Sequence, residues 1–238
     1  SFYFEIPRSW LWGTVEFELT GLGQNISCKD KADTADDCKV TVTFNDVPQP
    51  EIRMVGIRWT DEYGVEHYPN SNDIDNVLED IIAQYPINRL DWDRPYDWNY
   101  DGPVPPNLTE VLKDLRLNRL LDGCVTGWPI NCERLYYGVL VDYPAGVGAD
   151  LGLGERPGHV AAGYWVGGDP SVGTHEIGHN LGRQHTLCRG DEGNPGYYPY
   201  SNGHISQFDS GDHAFYGISI TKNRIFGPST GDLMGYCR

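Results

Sequence analysis

The sequence predicts an α/β (α+β) fold built on a twisted, mostly parallel sheet. Two stretches carry apolar residues at helical spacing: Ile74, Val77, Leu78, Ile81 and Ile82, then Leu108, Val111, Leu112 and Leu115. Three others read as strands: "MVGIRW" from Met54, and "RLYYGVLV" at 134–141 and "HVAAGYWV" at 159–166, both rich in aromatic and β-branched residues. Strands and helices interspersed in this way imply a layer of helices on a partly parallel sheet.

The chain begins differently. In residues 1–52, "TVEFELTG" and "CKVTVTF" alternate in the period-two manner of half-buried strands. Between them "QNISCKDKADTADDC" is polar and reads as an exposed loop, with Cys28–Cys38 as its candidate staple. Pro48 and Pro50 punctuate the exit. This gives a β-rich N-terminal segment, 1–52, and a main domain, 53–238. In the main domain, Asn107 is a candidate N-cap with Glu110 three residues on, and Gly123 is the matching stop. Asp169 before Pro170 is a second good helix start, for a helix running to about Leu181.

Composition narrows the function. A chain of 238 residues with 39% hydrophobic content can bury one sizeable core plus a small module. Its formal charge is −16, from 18 basic and 34 acidic residues, so no nucleic-acid partner is expected. Apolar stretches are short and interrupted, so no membrane span is expected. The six cysteines form no CxxC pair and allow fifteen pairings. An even count points to disulfides and an oxidising, extracellular setting, with Cys124–Cys132 as a second local staple. The start, "SFYFEIP", has no basic leader region, so a signal peptide is expected to have been removed already. Oligomeric state is not legible.

The densest chemistry lies in "GTHEIGHNLGRQHTLC", 173–188, which holds three of the seven histidines. His175 and His179 are four apart, so on a helix both imidazoles project from one face, one turn apart. Gly182 can adopt a left-handed backbone and turn the chain sharply, bringing His185 back as a third ligand. Three histidines leave one position open for water, the arrangement of a catalytic zinc. Zinc lowers the pKa of bound water toward ~7. Glu176, beside His175, is then the general base that takes the proton and passes it to the leaving amine. A chance match to all five fixed positions is on the order of 10⁻⁴.

His175-Glu176-x-x-His179-x-x-Gly182-x-x-His185 resembles the signature of the metzincin metallopeptidases. "DLMGYC", 232–237, is similar to the second marker of that clan, a methionine-containing turn beneath the zinc, with Met234 in the role. The resemblance covers the chain from Met54 onward. It implies a zinc endopeptidase acting on protein or peptide substrates, with an upper α/β subdomain to about 182 and an irregular lower one over 183–238. It also implies that "HVAAGYWV" forms the upper rim of the cleft, where an extended peptide adds as a strand, and that an S1′ pocket is built from parts of 200–234. Thr186 after the third histidine is closer to the matrixin type, but the subfamily is not assigned. Tyr236, two after Met234, matches a tyrosine that can ligate zinc or contact the transition state in astacins and serralysins. Asp232, however, stands where those families have Ser. With both motifs around one zinc, Cys188–Cys237 is the expected third disulfide. Metzincins continue into a C-terminal helix, so a chain ending at Arg238 is expected to be trimmed there.

Secondary features are weaker. "DWDRPYDWNYDG", 91–102, offers four aspartates as candidate calcium ligands, against the competing reading of a solvated, aromatic-packed surface. Asn25 and Asn107 begin glycosylation sequons. His204 and His213 have no ligand spacing and read as structural or exposed.

Overall fold

A computed structural model describes residues 12–18, 39–45, 49–85, 87, 89–126, 132–144, 150–165, 171–186, 200, 203–210, 213–219 and 224–235. The chain divides into two compact units, Ser1–Pro48 and Gln49–Arg238.

In the first unit, β1 (Gly13–Glu18) and β2 (Lys39–Phe44) pair antiparallel, with Val15 opposite Val42. The ribbon is zipped by polar cross-strand contacts. Thr14 and Thr43 hydroxyls lie 3.1 Å apart, and the Lys39 ammonium lies 3.1 Å from Glu16. Both strands fall where the period-two pattern puts them. Cys28 and Cys38, and Asn25, lie outside the described residues.

In the second unit, the strands are β3 (Glu51–Thr60), β4 (Glu66–His67), β5 (Asp91–Asp93), β6 (Asp97–Asn99), β7 (Leu135–Val141), β8 (Gly152–Gly154) and β9 (Val160–Trp165). The helices are α1 (Ser71–Gln84), α2 (Leu108–Leu121) and α3 (Ser171–Asn180), and a small antiparallel hairpin, β10 (Gly217–Ser219) and β11 (Arg224–Phe226), follows. The main sheet runs β4-β3-β7-β9-β8, with β5 and β6 also on β3. It is mixed: β3, β5, β6, β7 and β9 are parallel, while β4 and β8 run antiparallel. β3 already pairs from Glu51, and Ile52 is buried, so the main sheet begins earlier than the boundary expected at 52/53.

Every residue of β7 is buried because helices cover both faces. Tyr136 and Leu140 face α2, packing with Val111, Leu112 and Leu115. Tyr137 and Val139 face α1 and α3, packing with Ile74, Val77, Ile81 and Ile177. The two apolar stripes read from sequence are these helix faces. α1 has a full capping box: Asn70 accepts from the backbone N–H of Asn72 and Asp73, and Asp73 accepts from that of Asn70. At α2, Asn107 caps the helix, but Glu110 turns away to accept from Lys113, so only half of that box forms. Gly123 ends the segment with φ of 73°.

One expectation changes. "HVAAGYWV" is not an edge strand: β9 is paired on both sides, and among the described residues the sheet ends at β8. The three-residue, glycine-rich β8 has no apolar pattern to announce it. In the acidic stretch 91–102, read from sequence either as calcium ligands or as a solvated surface, no group of converging metal donors is found among the described residues. Arg89, Arg53 and Arg94 pair with Asp91, Asp93 and Asp97, and Arg53 bridges onward to Asp122. Three of the four carboxylates are thus engaged by guanidinium groups, Asp93 by Arg53 and also near Arg134, which leaves them paired with cationic side chains.

Cys124 and Cys132 form a disulfide across Cα atoms 5.1 Å apart. Cys188 and Cys237 lie outside the described residues, as do Asp169 and Pro170. Among the described residues no helix is long and apolar enough to cross a membrane.

Candidate metal centre

α3 is only ten residues long, and Gly173 to Asn180 are all buried. Such a helix is held by its surroundings more than by its own propensity. On its α1 side the buried Asp80 carboxylate accepts from the Thr174 hydroxyl at 2.6 Å, and Tyr85 donates to the Thr174 carbonyl at 2.7 Å. Burial pushes the Tyr85 phenol well above its ordinary value, so it stays a donor. At the other end Asn180 donates to the carbonyls of Glu155 (3.0 Å) and Val160 (2.9 Å), clasping the turn between β8 and β9.

Gly182 ends the helix as expected. Its φ is 84°, its N–H donates to His179 O at 2.8 Å, and the Arg183 N–H donates to Gly178 O at 2.9 Å. This paired arrangement reverses the chain within two residues. His185 returns beneath the helix, and Thr186 N–H donates to Met234 O at 3.0 Å, joining the returning segment to the 232–235 turn. In that turn Asp232 accepts from the Met234 N–H at 2.8 Å, a local side-chain turn that Asp makes well. Met234 is buried, and its sulfur lies where a Cβ on Gly178 would fall.

The three imidazoles meet at this point. Nε2 of His185 lies 2.9 Å from Nε2 of His179 and 3.0 Å from that of His175. On the far side of the rings, His175 Nδ1 lies 2.8 Å from Leu233 O, and His179 Nδ1 lies 2.7 Å from Arg183 O. A carbonyl oxygen only accepts, which assigns the hydrogen to Nδ1 in both rings. In each neutral ring Nε2 then bears the lone pair, and both lone pairs aim into the cluster. Lone pairs gathered this closely repel, and a bound cation turns that repulsion into coordination. A ligating histidine whose other nitrogen is tied to a carbonyl is the usual arrangement of a metal site. These three residues can therefore hold a metal ion, and they are the group of converging donors found among the described residues. His204 and His213 stay apart: His204 bridges to Gly231 and His213 sits beside Phe208.

Glu176 is not in that group. It lies on α3 beside His175, 7% exposed, with its carboxylate against β8 at Gly152. Its charge, after burial, raises the pKa of the fully buried Tyr137 phenol. Tyr236 lies outside the described residues.

Asp80, Thr174, Tyr85 and Asn180 were not singled out by sequence reasoning. Asn180 directly follows the second histidine, but nothing local says that its amide spans two strands.

No protein-family model and no curated protein matches the chain. A solved "structure of a chaperone-substrate complex" is similar at 16% identity and a TM-score of 0.34, over 62% of this chain and 28% of that one. The chain thus spans well under a third of that protein's length, and a likeness this distant carries no functional argument.

Proposed function

We propose that this chain is a secreted, zinc-dependent endopeptidase of the metzincin type. The observation that carries the reading is the histidine cluster: three converging Nε2 atoms, two of them with Nδ1 anchored to backbone carbonyls, with a buried methionine turn alongside. An all-imidazole donor set suits zinc, and three ligands leave a position for a reactant. When bound, zinc supplies Lewis acidity toward water and toward the substrate carbonyl.

The chain's own groups supply the remainder. Glu176 accepts the proton from the attacking water at its carboxylate and returns it to the departing amine. Asp80, Tyr85 and Asn180 hold the helix that carries it. The outer edge of β8, paired on one side only among the described residues, is where an extended peptide adds as a strand. Residues 183–238 serve as the lower wall, with the S1′ pocket in 200–234. The Cys124–Cys132 disulfide supports an extracellular setting. Tyr236 is proposed as a contact to the tetrahedral transition state.

A peptide-library cleavage profile, run with and without chelator and alongside metal analysis, tests the reading. One zinc per chain and chelator-sensitive cleavage are expected. Glu176→Ala is expected to keep the metal and lose cleavage by roughly 10²–10⁴-fold. Equal cleavage by that variant would falsify the mechanism.

A further inference from the structure

We propose that Gly152 is a positioning residue that seats the Glu176 carboxylate against the edge strand, an inference that rests on the peptidase reading for its catalytic meaning. β8 reads Gly152-Leu153-Gly154. Alternate residues of a strand share a face, so both glycines turn to one side and Leu153 to the other. Leu153 packs into the α2-side core. The glycine side faces α3. A Cβ built on Gly152 would lie 2.5 Å from Glu176 Oε1, 2.6 Å from its Cγ and 2.8 Å from its Cδ. One built on Gly154 would lie 2.5 Å from the backbone oxygen of Glu176 and 3.2 Å from Oε2.

Neither glycine has a positive φ. The backbone here is open to any residue, so glycine is required by the missing Cβ and not by conformation. The two positions differ in what they touch. Gly154 lets the helix backbone approach the strand, which is a packing role. At Gly152 the three nearest atoms all belong to the side chain of Glu176, so a Cβ there presses on the carboxylate and its stem and not first on the helix backbone. Since β8 is also the sheet edge, one short strand both offers the substrate-facing edge and sets the place of the base beneath it.

The test compares Gly152→Ala with Gly154→Ala and with a metal-free stability cycle. Gly152→Ala is expected to lower kcat by about 30-fold with KM within about twofold and metal stoichiometry unchanged. Gly154→Ala, pressing on backbone, is expected to lower stability and metal retention together. In the metal-free protein, Gly152→Ala should lower the unfolding midpoint by about 3 °C, but by less than about 1 °C when introduced into Glu176→Ala, where the carboxylate is gone. Unchanged kcat, or equal midpoint shifts in the two backgrounds, overturns the proposal. If the parent chain cleaves no peptide, the peptidase reading fails, while the stability cycle still decides whether Gly152 and Glu176 are coupled.

Discussion

His175 Nδ1 lies 2.8 Å from the backbone carbonyl of Leu233, so a candidate ligand midway along α3 is tied to the residue just before Met234, 58 positions away. The tie sets the tautomer, aims the ring, and joins helix and turn into one support for the cluster.

Removing a ligand should cost metal, not only activity. His185→Ala leaves two imidazoles where there were three, and metal affinity should fall by at least ~10²-fold, taking outer-shell losses of 10–100-fold as the floor. Competition with a chelating dye measures this. Chelator should also lower the unfolding midpoint of the parent chain, because a ligand bound only to the folded state stabilises it. A midpoint that ignores chelator would mean that the cluster holds no metal in solution.

Met234 should behave as a packing residue. It is 4% exposed, with Gly178 against its sulfur. Met234→Ala should cost about 2–5 kcal/mol, while Met234→Leu, of similar volume, should cost less than about 1.5 kcal/mol. Chemical denaturation distinguishes the two. Equal large losses would assign the thioether a role beyond filling space.

Asn180 should matter more than a polar side chain usually does, since it is 5% exposed and its amide serves two carbonyls at once. Asn180→Ala takes one donor from each carbonyl, of which Val160 O keeps the Glu155 N–H, at a cost of about 1–3 kcal/mol. Amide hydrogen exchange should speed first in 152–160 and in α3. Uniform acceleration across the sheet would argue against a local clasp.

The turn after β3 should carry a pH dependence. His67 stacks on Trp59 with centroids 4.1 Å apart, its Nδ1 2.9 Å from Asp142 and its Nε2 3.4 Å from Asp61. Burial works against protonation, but the two carboxylates outweigh it, and the imidazole pKa rises above 6.5. A raised value means that this stability is fully present below about pH 6.5 and is lost as pH climbs through the folded value. On the acid side Asp61 is lowered, by the Val65 N–H first and also by His67, so its share is lost only as pH falls through that depressed value. The stability difference between the parent and His67→Gln should therefore be greatest in mildly acidic solution and shrink toward pH 9. A flat difference would mean that the ring stays neutral.

The legible features were those with a local cause. Ile74, Val77, Leu78 and Ile81 announce α1 by spacing, and Asn107 announces the start of α2 by its side-chain chemistry. The expected role of "HVAAGYWV" failed because edge or centre is a property of neighbours. Its apolar run is the mark of a doubly buried strand, and β8 covers its outer side with three residues that carry no pattern. The aspartates of 91–102 were open to a calcium reading because their arginine partners include Arg53, 40 positions from Asp93.

By itself the sequence determined the candidate ligand set and its means of convergence. His175 and His179 share a helix face because four residues are about one turn, and His185 returns because Gly182 can take φ of 84°. Tertiary structure decided which partners hold those rings, which strand ends the sheet, and that Gly152 must lack a side chain where Glu176 lies. Periodicity and backbone freedom act over a few residues and are written in the chain. The approach of β8 to α3, or of Leu233 to His175, depends on how every intervening element packs, and no local pattern encodes it.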